Sequence, residues 1–283
     1  MRKPPKILIA CSIWLSGCAP LSEIRDFAAL SKRAAESFPP MMRDVKESYL
    51  RQRELSHLQQ GSSLQEAGKQ AQADCEKSEL CRVVPDLIGA GQVLENYMKV
   101  MGQLAADDLT SFDQSIKGFA DQLQTSAKIK DKERDAVRSL ATFLFNAVAS
   151  GYRQKRLAET LTKHDDDIRV LTEALLQITG DYVTQLGNEE LAMRGYYEGA
   201  VGRRQEDAVL KVLVYEIYGR DRQALEKKRQ AARSYQEFLR TLQKAHHELS
   251  QKASRLTATE ARRLGATFAV EIDKQVQAIG KAF

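Results

Sequence analysis

An all-α protein, an elongated multi-helix bundle with long coiled-coil-like helices, follows from three observations. Apolar residues recur at alternating three- and four-residue spacing along most of the chain, and a period of two is hard to find. All six prolines lie at or before Pro85, so the chain from Asp86 to Phe283 holds no proline to break a helix. The same stretch is rich in Ala, Leu, Glu, Gln, Lys and Arg, the strongest helix formers.

Ser22 reads as the cap of a first helix carrying Ile24, Phe27 and Ala28 on one side. Pro39-Pro40 breaks or kinks it, and a second, charged helix follows from Met41 to about Leu58. Residues 59 to 82 are the most polar part of the chain, with "QQGSSLQ" as a turn in a solvated helical hairpin. From Val83 the pattern strengthens. Leu87, Leu94, Tyr97, Met101 and Leu104 line one face, and Leu109, Phe112, Ile116, Phe119 and Leu123 line the next. After "KIKDKERD", Val137, Leu140, Leu144, Ala147 and Val148 turn inward. After "TKHDDD", the set Ile168, Leu171, Leu175, Ile178, Tyr182 and Leu186 continues the spacing.

"GNEE" is expected to interrupt that helix, and a further one passes through Leu210, Leu213 and Ile217 to Gly219. The longest seam is Ala232, Tyr235, Leu239, Leu242, His246, Leu249, Ala253 and Leu256, a heptad-like spacing suited to left-handed packing against another helix. Leu264, Phe268, Ile272, Val276 and Ile279 mark the last helix. The expected organisation is an N-terminal helical segment over 22–82 and a main bundle over 83–283.

The first residues follow another plan. Arg2, Lys3 and Lys6 precede the apolar run Ile7 to Leu15, about half of the ~20 residues a membrane-spanning helix needs. A basic start, a short apolar segment and small residues before a cut describe a signal peptide, here residues 1–17. Leu15-Ser16-Gly17-Cys18 closes it and resembles the lipobox of bacterial lipoprotein precursors at all four positions. The resemblance implies a diacylglycerol thioether on Cys18, cleavage before it and acylation of the new amine. Several acyl chains give stable anchoring where one does not. Ala19 stands where enteric lipoproteins kept at the inner membrane carry aspartate, so the implied address is the outer membrane, facing the periplasm. Residues 18–21 leave a tether of about 14 Å before the first helix.

Removal of Arg2, Lys3 and Lys6 takes 43 Lys and Arg to 40 against 38 Asp and Glu, so the formal +5 falls to +2. A basic chain of that kind is no signature of nucleic-acid binding. Cys75 and Cys81, in "DCEKSELC", remain. Outside the cytoplasm such a pair oxidises readily, and it reads as a disulfide staple between helices. Free thiols or half of a metal site are the alternatives, but no second cysteine pair or nearby histidine supports a metal.

Catalytic patterns are sparse. "HELSQ" at His247 puts Gln251 where a zinc HExxH motif has its second histidine. His246 belongs to the apolar seam, where a bond across helices would satisfy it. "HDDD" at His164 reads as carboxylates opening a helix. "GAGQVL" at Gly89 lacks both the preceding strand and the third glycine of a phosphate loop. No serine has the setting of a nucleophile elbow. "GRDRQALEKKRQAAR" is the densest basic stretch, and Lys227, Lys228 and Arg229 are its candidate contact residues for anionic headgroups or an acidic partner. A solvated helix face is the plainer reading of the same residues.

The expectation is therefore a lipid-anchored envelope protein without metal or cofactor, acting as a non-enzymatic scaffold, adaptor or inhibitor. Its partners would be the membrane, through the anchor, and another envelope protein or a second copy. An envelope enzyme using unidentified carboxylates on cell-wall or lipid material is one alternative. Lipid or small-ligand binding in a bundle cavity is another.

Overall fold

The computed structural model describes residues 22–106, 131–149, 157–202, 208–252 and 258–283. Cys18 and the signal-like segment lie outside the described residues, as do the face from Leu109 to Leu123 and the seam positions Ala253 and Leu256. The described residues form nine helices: α1 (Ser22–Ala35), α2 (Phe38–Gln59), α3 (Leu64–Lys77), α4 (Glu79–Ala106), α5 (Asp131–Ala149), α6 (Leu157–Lys163), α7 (Asp165–Gly202), α8 (Ala208–Lys252) and α9 (Ala258–Ile279). The protein is an all-α multi-helix bundle.

Local chemistry sets the breaks. Pro39 and Pro40 occupy the first turn of α2, where a missing N–H costs nothing, so the diproline starts this helix two residues after α1 ends. At the next corner Gly61 takes φ 95°, a left-handed conformation that favours glycine. Ser63 then caps α3 in a reciprocal capping box with Glu66. Cys75 of α3 and Cys81 of α4 form a disulfide across the Ser78 turn, with Cα atoms 5.5 Å apart. The staple expected between helices is present.

Two expected interruptions are absent. "GNEE" lies within α7, which runs unbroken for 38 residues, and Gly219 lies within the 45-residue α8. Their neighbours explain this. Glu189 and Glu190 are tied by arginines on other helices, Arg51, Arg222 and Arg229. The side left open by Gly187 and Gly219 has no atom within 4 Å. A lone glycine in a long packed helix costs about 1 kcal/mol, too little to break it.

α7 and α8 pair antiparallel, with contacts from His246 on Asp165 to Asp221 on Tyr197. α9 returns along α8, where the Gln275 side chain donates to Thr241 Oγ1 at 3.1 Å. α1 lies parallel to α9, with Phe27 against Phe268. Gly265 makes that approach possible, since a Cβ there would sit 2.7 Å from the Glu23 backbone. α4 runs antiparallel to α1, with Lys32 facing Glu95. Phe38 occupies the space left by Gly91, one of the glycines of "GAGQVL". One apolar cluster runs from Ile24 to Ile279 and includes residues of every helix except α3. The expected face positions Leu87, Leu94, Tyr97, Met101 and Leu104 are all buried in it, as are Tyr235, Leu239, Leu242 and Leu249 of the long seam.

This topology gives the bundle two ends. Ser22 lies level with the C-terminal part of α8, because Glu23 meets Arg262 and Gly265 while Phe268 lies beside Lys244. The start of α8 is therefore about 60 Å away along the helix axis. Among the described residues no helix is long and apolar enough to cross a membrane.

Candidate functional site

Near the Ser22 end, α4, α5, α7 and α8 bring together polar groups that are far apart in sequence. The Tyr97 hydroxyl lies 2.7 Å from His246 Nε2, and His246 Nδ1 lies 3.0 Å from Asp165. These bonds set the tautomer: Nδ1–H donates to the carboxylate, and Nε2 accepts from the phenol. The other Asp165 oxygen accepts from His247 Nδ1 at 2.8 Å. Two residues on, Asp167 accepts from His164 Nδ1 at 2.9 Å and from the Ser139 hydroxyl at 2.6 Å. The Phe143 ring packs against both Tyr97 and His164, which also meet edge to face. His57, the remaining histidine, pairs with Asp74 on α3.

Hydroxyl, imidazole and carboxylate stand here in the order of a nucleophile, its base and an orienting group. The surroundings suit packing instead. Tyr97 is 0% and His246 1% exposed. Burial, reinforced by Asp165 and Asp167, pushes the Tyr97 phenol well above its ordinary range. Burial also holds the His246 imidazolium below its usual pKa, with Asp165 opposing. Hydrogen bonds from the histidines, His246 foremost, keep Asp165 ionised below the usual carboxylate range against its partial burial. A neutral imidazole between a phenol and a carboxylate is a closed, satisfied relay. Among the described residues no three His, Cys, Asp or Glu side chains converge to hold a metal ion.

The basic residues singled out in the sequence do not form one exposed patch. Lys227 is exposed. Lys228 instead reaches Asp44 on α2 at 2.6 Å, and Arg229 pairs with Glu190 of α7 and with Glu226. The cause is helical geometry. Lys228 and Arg229 follow the buried Leu225 by three and four residues and share its inward side, whereas Lys227 does not. Asp44 also accepts from the Tyr182 hydroxyl at 2.5 Å and from Arg51, which in turn grips both oxygens of Glu189. Burial pushes the Asp44 carboxyl up, but bonds from Lys228 and Tyr182 and the charge of Arg51 outweigh it and hold it below the usual range.

The far end of the molecule is different. No described residue is buried from Arg194 to Gly202 in α7 or from Ala208 to Ala224 in α8. This two-helix arm extends past the buried core; its base still touches α2, where Gly195 lies against Gln59, and Tyr197 and Tyr218 pack against the edge of the apolar cluster. Aromatic contacts hold it together: Tyr197 packs against Tyr196 and Tyr218, and its hydroxyl donates to Asp221 at 3.0 Å. Burial and Asp221 push that phenol up to about 12. The outer surface carries Val209 at 78% exposure, Val212 at 64%, Leu213 at 54% and Tyr215 at 70%. Sequence reading placed Leu213 in an ordinary amphipathic helix and missed the arm. The available signal was "AVLKVLVYEIY", in which only Lys211 and Glu216 interrupt apolar residues spread over most of the circumference, although only one side can face α7.

Comparison of the chain with protein-family models, with curated proteins and with solved structures finds no match in any of the three.

Proposed function

We propose that this protein is a lipid-anchored envelope protein that acts without catalysis, using the α7/α8 arm to bind another envelope protein. The observation that carries the reading is the cluster Val209, Val212, Leu213 and Tyr215, exposed on an arm about 60 Å from Ser22. Aliphatic and aromatic groups gathered on a projecting surface favour a contact site over solvent, and tyrosine is enriched among residues that dominate interfaces. The lipobox resemblance at Leu15 to Cys18 supplies the anchor at the opposite end of the bundle from the arm. The Cys75–Cys81 disulfide fits an oxidising compartment. Outer-membrane placement follows from Ala19 by the same resemblance.

Two measurements test the reading. Labelled palmitate enters the wild-type chain and not a Cys18→Ser variant; incorporation into both, or neither, overturns the anchor. Mild envelope extraction yields a complex larger than the monomer that carries a second envelope protein and is lost in a Val212→Asp, Leu213→Asp variant. A complex that survives both substitutions overturns the arm as the contact.

A further inference from the structure

A groove of about 440 Å³ runs along one flank of the arm, between α7 and α8. Its apolar and aromatic lining comes from Tyr197 and Val201 of α7 and from Val214, Tyr215 and Tyr218 of α8. Tyr197 and Tyr218 are in ring contact across it. Solvent reaches the groove freely, since Tyr215 is exposed and the side chains of Arg194 and Glu198 at its edge are more than half exposed.

The lining repeats at helical spacing on both sides. Arg194, Tyr197 and Val201 follow one another along α7, and Lys211, Tyr215 and Tyr218 along α8. Two ridges with a furrow between them are the surface on which a third helix packs, its own row of side chains lying in the furrow. From Lys211 to Tyr218 the furrow is about 10 Å long, two turns of helix. A bilayer surface is flat and meets ridges, not the furrow between them.

Charge narrows the occupant further. Arg194 faces Glu198, Arg220 lies beside Asp221, and Arg222 reaches Glu190 of α7. Lys211 stands half-buried at the groove, and among the described residues it has no acidic partner. A carboxylate brought to that ammonium complements it where water is being excluded. A second copy docked through the same face would double the excess of positive charge instead of cancelling it, because a two-fold contact uses one patch twice.

We propose that the partner enters this groove as an amphipathic helix, its apolar ridge on Tyr197, Tyr215 and Tyr218 and one of its Asp or Glu carboxylates on Lys211. Val212, three residues before Tyr215, lies beside it on the surface of α8, so the contact continues from the groove onto the exposed cluster. The proposal rests on the partner-binding reading and narrows it to one flank of the arm and one chemistry.

The test places a photoreactive phenylalanine at Tyr215 and, separately, at Val212 of the full-length chain in living cells. Both positions are expected to give an adduct with the same envelope protein. The peptide joined to position 215 is expected to carry apolar residues at helical spacing with Asp or Glu beside them. Lys211→Glu is expected to cut the adduct from position 215 at least tenfold without changing Tm, whereas Lys211→Arg and the distant Lys227→Glu leave it in place. An adduct from Val212 with none from Tyr215 overturns the groove and leaves the arm reading standing, and no adduct from either overturns both. The helix-and-carboxylate proposal alone falls if the Tyr215 adduct survives Lys211→Glu. It falls equally if that adduct is with lipid, with a second copy of this chain, or with a segment free of acidic residues.

Discussion

The Tyr97 hydroxyl donates to His246 Nε2 at 2.7 Å, across 149 residues of sequence. The bond joins α4 to α8 at the level where Asp165 opens α7, so one neutral imidazole ties three helices together. His246 is the polar position in the longest apolar seam of the chain, and its two ring nitrogens are both satisfied.

That arrangement gives the fold a pH dependence of defined sign. The folded pKa of His246 is lowered by burial, so the unfolded chain takes up the proton first as pH falls. The neutral ring's stabilisation is fully present above the unfolded value near 6.5 and is lost as pH drops through the folded one. The groups facing the ring are Tyr97 on α4, Asp165 on α7, His164 at the α6–α7 turn and His247 on α8 itself. Stability is expected to fall by up to about 2 kcal/mol between pH 7 and pH 5 from this group alone. His246→Leu is expected to flatten that slope relative to wild type while lowering stability at pH 7. Parallel slopes in urea unfolding of the two proteins would contradict it.

Asp44 holds α2 against α7 and α8 through Tyr182, Arg51 and Lys228. Asp44→Ala strips three donors of their acceptor and is expected to cost about 3 kcal/mol. Lys228→Glu places a second carboxylate beside Asp44 and is expected to destabilise clearly. Lys227→Glu, on the exposed side, is expected to change stability by less than about 0.5 kcal/mol. Thermal unfolding of the three variants checks the order, and similar losses from both lysine variants would contradict the assignment of Lys228 to the bundle.

Gly265 and Gly199 make a paired test of close approach. At Gly265 an added Cβ meets the Glu23 backbone at 2.7 Å, whereas at Gly199 nothing lies within 4 Å. Gly265→Ala is expected to push α1 off α9 and cost about 1–3 kcal/mol. Gly199→Ala is expected to stabilise by about 0.5–1 kcal/mol through helix propensity. Equal effects at the two positions would refute the packing of α1 on α9.

The Cys75–Cys81 disulfide closes a loop of sequence separation 6, so its effect on the unfolded chain is modest. Cys75→Ser is expected to lower stability by about 2 kcal/mol with the helix content unchanged. Reductant is expected to shift the wild type by the same amount and leave the variant where it is. A wild type insensitive to reductant would count against this contribution.

The helices were legible because their cause is periodic: Tyr235, Leu239, Leu242 and Leu249 announce a buried face by spacing alone. The boundaries at Pro39-Pro40 and at "QQGSSLQ" were legible through proline, glycine and the Ser63 cap. "GNEE" misled because glycine is a weak breaker when tertiary ion pairs hold the following carboxylates. The inward turn of Lys228 and Arg229 was readable from their offset to Leu225, once that residue's burial is known. The Tyr97–His246–Asp165 relay was not, since no local spacing connects residues on three helices. The arm was hidden for a related reason. Val209 and Leu213 carry the pattern of a core helix, and they stay exposed because among the described residues no third helix covers them.

On the proposed reading, the arm is where this protein meets its partner. A photoreactive amino acid placed at Val212 of the full-length protein in living cells tests this, with Arg240 on the exposed side of the bundle as control. A discrete adduct with one envelope protein is expected from position 212 and none from position 240. Adducts from both positions alike, or adducts from Val212 with lipid alone, would contradict it.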